Sequence, residues 1–488
     1  MSHRGAPACS GKRGAKRGPR VCVHTRGNKM TYLFAVIIAL AAGCAGVEKP
    51  AVREAYTGPL LVPAEDPITG IPPEVDFADY WVRKAPSPDA VILTPEQIET
   101  YNRENPLIGT LMFDIPSMPA QSKGERIREY LADSARYLVE NPFYITGDIQ
   151  LEKKERHRIA ALMDTAGVPD TIDIRFGMML ERASGKLWPT SIPLMSKPDD
   201  NEFDQGMVST VDMGDPVALI HTTKDGLWCY VQTENFACWV PSSTLTFGEL
   251  AVVREISERS SPLVVVGDRA AVYGTPDDRS AVGWLPMGTY LPIRSVGNSF
   301  CEVLIPGRGA RGELVVKKGY VRRGSDVSIG FLPYTMRNVY RQCFILYGAR
   351  YGWGGDYDSR DCSGYIMEVF RCFNLRLPRN SVSQGKVGIR TIPVGGMERT
   401  ARLQTLHGLP GGITLLQMPG HIMIYLGEAG GKPYAIHNFW AWREGKGEGV
   451  DVTHRIARVA VTDLLLGEGS SKGAFLDRIE NIVVLGGR

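Results

Sequence analysis

Between about residues 175 and 325 one short text is written twice. Met213-Gly214-Asp215-Pro216-Val217 leads to Trp228-Cys229-Tyr230-Val231 and then to Trp239-Val240. Met287-Gly288-Thr289-Tyr290 leads to Phe300-Cys301-Glu302-Val303 and then to Gly319-Tyr320-Val321. The turn glycines Gly214 and Gly288 lie 74 residues apart, and short alternating runs broken by turns fill the interval. Such a period predicts two copies of a small β-barrel, at 175–250 and 251–325. Trp228, Trp239, Phe300 and Tyr320 read as barrel core.

The flanks are written differently. Residues 45–95 are rich in Pro, Gly and acids and read as an extended arm. Thr94-Pro95-Glu96-Gln97 then offers a cap and a first-turn proline. Ile127, Tyr130, Leu131 and Ala135 keep a helical spacing. Together they predict an arm and helical N-terminal domain over 45–174. From 326 to 488 a helical pattern (Met336, Val339, Tyr340, Cys343) precedes a Gly-rich turn, a second helix and a β-rich tail, as expected of an α+β unit. A chain of 488 residues with 43% hydrophobic and 22% charged residues has material for several such cores.

The net charge of +3 is unevenly spread. Residues 1–30 hold eight bases and no acid, so the body is mildly acidic and offers no electrostatic footprint for nucleic acid. After the basic stretch comes the apolar run 32–40 and then Ala41-Ala42-Gly43-Cys44. A basic region, a short apolar run and a small-residue site describe an export signal over 1–44. The run falls short of the roughly 20 residues a membrane span needs. Ala-Ala-Gly-Cys resembles a bacterial lipoprotein cleavage box, with Cys44 as the lipidated residue and a membrane attachment through it. The expectation is an exported protein of the periplasm or cell envelope.

Beyond Cys44, six cysteines lie at 229, 238, 301, 343, 362 and 372 without a CxxC pair, so no zinc site is expected. One of them stands apart. Tyr351-Gly352-Trp353-Gly354-Gly355 is followed by Asp361-Cys362-Ser363-Gly364, and Ile366, Val369, Phe370 and Phe373 then form an amphipathic stripe. Asp361 can cap that helix and so place Cys362 in its first turn, where the backbone favours a thiolate. A nucleophilic cysteine needs a base. Residues 420–427 read as a strand with Ile422, Ile424 and Leu426 on one face and His421 on the other; residues 434–439 read as a second strand. Paired across the intervening turn, His421 and His437 come nearly opposite each other, base and orienting group.

These motifs, with Leu377-Pro378-Arg379-Asn380-Ser381 and Ile436-His437-Asn438, resemble the NlpC family of papain-like cell-wall cysteine peptidases over roughly 330–460. The repeated segment resembles two bacterial SH3-like domains, and the whole arrangement resembles the γ-D-glutamyl-L-diamino-acid endopeptidase branch. The resemblance implies a papain-like α+β domain at 326–488 behind two SH3-like barrels. It implies murein stem peptides as substrate, cut between D-glutamate and diaminopimelate or lysine, in recycling or remodelling. Cys362 takes the nucleophile's place, His421 the base's and His437 the third member's. Tyr351 matches an oxyanion-side aromatic, Asp361 and Ser363 substrate-contacting positions, and Trp353 and Ser381 the pocket wall. In that branch the first barrel closes the cleft and reads the free amine of L-alanine; Asp361 is the acid expected to pair with it, with Asp215 second. No cofactor or metal is implied, and a monomer is expected. A non-catalytic wall-binding protein and an amidase or acyltransferase on the same fold are the alternatives. His407 and His454 receive no role.

Overall fold

The computed structural model describes residues 68, 70–105, 110–447 and 449–487. The leader at 1–44, the lipidation box at Cys44 and the start of the arm lie outside the described residues. Three antiparallel sheets organise the rest.

The first sheet runs from Arg175–Met179 to Leu245–Phe247 and the second from Pro262–Val265 to Val327–Ile329, with seven strands each. Counted within each sheet, both have the spatial order 7-1-4-5-6-2-3. The sequence repeat is therefore a repeat of topology. Gly214 and Gly288 hold φ of 87° and 78° in the turn before the fourth strand of each, a left-handed conformation that a side chain would strain. Trp239, Val217 and Val231 are fully buried in the first sheet; Cys301, Val303 and Val272 are buried in the second.

The third sheet has six strands, in the order Arg390–Pro393, Asn481–Val484, Thr414–Met418, His421–Ala429, Lys432–Gly445, Asp451–Asp463. One face carries Ile422, Ile424, Leu426 and Ile436. It packs on the helix Cys362–Arg371, whose Ile366, Val369 and Phe370 are buried with Phe373 beyond it, the stripe expected from the sequence. The other face, with Met423, Tyr425, Ala435 and Phe439, forms a separate core with Phe475 and Leu476. Residues 382–412 contain an edge strand and the helix Arg399–Leu406, which Arg399 and Arg402 tie to the segment 476–479.

The helical N-terminal domain expected over 45–174 does not form one body. Helix Pro95–Glu104 does begin with the Thr94–Gln97 capping box and a proline. It and Ala78–Lys84 pack onto the third sheet's core, where Trp81, Ile98 and Tyr101 are buried and Trp81 meets Tyr434 at 6.0 Å. Helix Glu125–Glu140 instead joins the first sheet: Ser134 accepts from Trp188 Nε1 at 3.0 Å, and Tyr130 stacks on Tyr230. The periodicity showed which face of each helix is apolar; it could not show which core that face would meet.

Candidate active site

The Gly-rich turn and the helix Cys362–Arg371 meet at Asp361. Gly354 and Gly355 take φ of 62° and 99°, and a Cβ at either would strike Met207 or Thr210 of the first sheet. Glycine is needed there because the turn both reverses the chain and lies against another module. Asp361 caps the helix, accepting from Gly364 N at 2.8 Å and from Gly354 N at 3.1 Å. Its carboxylate is also gripped by Arg379, Nη1 at 3.0 Å and Nη2 at 2.7 Å, a bidentate pair buried on both sides. Burial alone would raise the Asp361 pKa; the Arg379 guanidinium overrides it and holds the carboxyl below the usual range. Arg379 also donates to Ser363 Oγ at 2.9 Å and, through Nε, to Ser209 of the first sheet at 2.6 Å.

Cys362 is the first helical residue and is nearly buried. The backbone N–H groups of Ile422 and Ser363 point at its sulfur. Burial first, and then the neighbouring Asp361 charge, push the thiol up to about 12. The thiolate bias expected of a helix start is thus outweighed by burial and then by the charge of the capping carboxylate.

His421 opens the strand whose next residue, Ile422, touches the thiol. Its Nε2 lies 2.6 Å from Nδ1 of His437, and Nε2 of His437 lies 3.0 Å from Thr462 Oγ1. The two histidines are not directly opposite. The register sets Ile424 against Ile436, so His421 reaches His437 along the diagonal of the same face. His437 is fully buried, stacked on Phe439 at 4.2 Å and 7°, with the edge contact of Phe475 at 5.3 Å. Burial and the charge of Arg478 lower His421 to about 3; burial and His421 keep His437 far below its ordinary value. Thiol and imidazoles are therefore neutral at rest. Phe439, Phe475 and Thr462 complete this line, and the alternation of the strands gave no signal for them.

Of the other expected site residues, Tyr351 and Trp353 face Phe203, at 6.5 and 5.5 Å, and Trp440 joins them at 5.4 Å. Phe203 stands on the long loop between the second and third strands of the first sheet, and Glu202 beside it is held by Trp440 Nε1 and Arg455. That loop closes over the turn bearing Trp353. Ser363 is buried, and its hydroxyl serves Asp361 and Arg379. Ser381 starts a short helix capped by Asn380. Gln384, unforeseen, is fully buried and donates to the carbonyls of Ser363 and Pro378. Asp215 lies behind the catalytic helix, apart from Cys362. His407 and His454 bond to Glu428 and Glu444. The six cysteines from Cys229 to Cys372 are free thiols. Among the described residues no group of three or more His, Cys, Asp or Glu is arranged to hold a metal.

Comparison with known proteins fits this geometry. Residues 348–438 match the model of the NlpC/P60 family, and residues 193–241 match that of the SH3 domain (SH3b1 type). No curated protein matches the chain. Among solved structures, an NlpC/P60 endopeptidase from Photobacterium damselae subsp. piscicida is 18% identical, covering 82% of this chain and 94% of its own, with a TM-score of 0.68. An NlpC/P60 family protein from Bacillus cereus ATCC 10987 is 16% identical, covering 63% of this chain and 98% of its own, with a TM-score of 0.45. The chain carries an SH3 domain followed by an NlpC/P60 domain, a family whose members are cysteine peptidases.

Proposed function

We propose that the chain is a cysteine endopeptidase of murein stem peptides, hydrolysing the bond between γ-D-glutamate and diaminopimelate or lysine. The observation that carries it is the line from His421 through His437 to Thr462, anchored beside a cysteine at a helix start. To take a proton from Cys362, His421 must keep Nδ1 unprotonated and carry its hydrogen on Nε2. That hydrogen goes to His437 Nδ1, which fixes the hydrogen of His437 on Nε2, donated to Thr462. One tautomer of each ring satisfies the whole line.

In this reading the substrate carbonyl approaches the thiol as His421 removes its proton. The carbonyl oxygen gathers charge near the Cys362 N–H, which has no helical acceptor at this position, and near Tyr351. His421 then returns the proton to the departing amine, and water hydrolyses the thioester. A complete relay of this kind speaks against a purely wall-binding role.

The substrate class rests on the motif set and on the first sheet's loop, which closes one end of the cleft through Phe203. That closure favours short, freed peptides over intact wall. The carboxylate oxygens of Asp361 are already bonded by Arg379, Gly354 and Gly364, so Asp361 serves the cap. The second sheet, with its identical strand order, is read as a second SH3-like module. Export through the leader at 1–44 would bring a monomeric enzyme to this substrate, and lipidation at Cys44 would keep it at a membrane.

The test is incubation with L-Ala-γ-D-Glu-diaminopimelate and its N-acetylated twin, followed by mass spectrometry. Release of diaminopimelate from the free-amine peptide alone is expected. Cleavage of both discards the amine gate, and cleavage of neither overturns the peptidase.

A further inference from the structure

Behind the helix Cys362–Arg371 lies a cavity of about 540 Å³, lined by residues of both seven-stranded sheets and by Gly364, Met367, Glu368 and Arg371 of the helix. Cys362, His421 and His437 do not line it. Most of its charges are matched. Glu234 pairs with Arg376 at 2.6 Å, Glu368 with Arg360 at 2.5 Å, Arg379 with Asp361 at 2.7 Å, and Asp212 with Arg182 at 2.6 Å. Apart from the exposed Asp114, Arg254 and Glu258, which bond to Ser117 or to backbone, two opposite charges are left over. Among the described residues, Arg371 makes one side-chain bond, a 3.8 Å contact to the sulfur of Met367. Asp215 accepts the backbone N–H of Asp212 at 2.9 Å and has no cation at ion-pair distance. Each feels the other's charge, yet they stand too far apart to pair.

Neutral groups on the same wall repeat the pattern. Thr289 Oγ1, Ser257 Oγ and Asn235 Oδ1 are buried without a hydrogen-bond partner, and Thr289 is only 6% exposed. Each such group costs about 1–3 kcal/mol when unsatisfied, and native folds keep few of them. Here three converge on one cavity with an unmatched cation and an unmatched anion. The volume suits a small ligand.

We propose that this cavity binds a small zwitterion of amino-acid or dipeptide size. Its carboxylate meets Arg371 and its ammonium meets Asp215. Thr289, Ser257 and Asn235 bond to the polar backbone between, the hydroxyls to a carbonyl and the Asn235 oxygen to an amide N–H. Burial, and then Asp212, raise the free Asp215 carboxyl to about 7, and an arriving ammonium would draw it back to the charged form. The site is separate from the peptidase reading and does not depend on it.

The test is calorimetric titration of the full chain with glycylglycine, N-acetylglycylglycine and glycylglycine amide. Saturable binding of glycylglycine is expected, with at least about tenfold weaker binding of either blocked form. Arg371→Met should erase the difference between glycylglycine and its amide, and Asp215→Asn the difference between glycylglycine and its N-acetyl form. Peptide turnover should stay unchanged in both. Should Arg371→Met not fold, the isosteric Asp215→Asn carries the test alone. Absence of saturable binding to the wild-type chain, or equal binding of all three dipeptides, overturns the proposal and leaves a water-filled cavity.

Discussion

At Cys362 and His421 the same burial acts in opposite directions on two groups. It pushes the thiol up and the imidazole down, so the resting site stores no ion pair, and proton transfer has to accompany attack. Because His421 stays neutral far below its ordinary 6.5, the acid limb of kcat/KM should fall well below that value, as a pH–rate profile on a stem peptide would reveal. Cys362→Ala should abolish turnover with an unchanged melting curve. His437→Ala should lower kcat by about a hundredfold with a smaller change in KM, and Thr462→Val should lower it less, since it removes the last acceptor and leaves the rings stacked. Cys362, His421 and His437 were legible because each sits inside a local pattern, a helix start or a strand face. Thr462 was not, because nothing in its own strand distinguishes it from any other buried threonine.

Among the elements, the catalytic helix is held at its start by a residue from another part of the chain. Arg379 joins the cap carboxylate of Asp361 to Ser209 of the first sheet, so the nucleophile's helix and that sheet share one buried ion pair. Removing the cation strands a buried carboxylate. Arg379→Met should cost about 3–5 kcal/mol by denaturant unfolding, and Arg379→Lys should recover little of it, lacking the bidentate fork. Ser209→Ala should cost about 1 kcal/mol. The Leu-Pro-Arg-Asn-Ser motif was visible in the sequence, yet the role of its arginine was not, since pairing between distant residues leaves no local trace. The hairpin tells the same story in miniature. Both strands and the face of His421 could be read from alternation, but the register set by the turn was not legible: even after the bulge between Tyr425 and Gly427, Ile424 pairs with Ile436 and the two histidines meet on a diagonal.

For the whole molecule, the two histidines set a pH dependence of folding. Folded, His421 stays neutral down to about 3 and burial holds His437 far below its ordinary value; unfolded, both take up protons as pH falls past 6.5. The unfolded chain then binds more protons, so their contribution is full above 6.5 and is lost as pH falls toward 3. Denaturant midpoints should drop between neutral pH and about pH 5, and the non-titrating His437→Gln should flatten that slope. The domain map carries its own expectation. A fragment of 326–488 lacks Trp81, Ile98 and Tyr101, so it should show no cooperative melting transition by circular dichroism, whereas the same fragment with 70–105 restored in trans should regain part of it. The repeat announced two sheets of one topology, while the helices ahead of them were assigned to a domain of their own. They belong to two different cores because an apolar stripe specifies burial without naming the partner.

The helix at Ala78–Lys84 also sets the timing of assembly. Its Trp81 waits for Tyr434, and the strand Asn481–Val484 must still enter the middle of the same sheet. A ribosome releases the first of these segments some 400 residues before the last, at about 5–20 residues per second, so the interval is at least tens of seconds. Through that interval both seven-stranded sheets can fold from contiguous text, while the third sheet stays incomplete. The nascent chain thus carries two finished sheets ahead of an incomplete candidate site, which is complete only once Asn481–Val484 has been released.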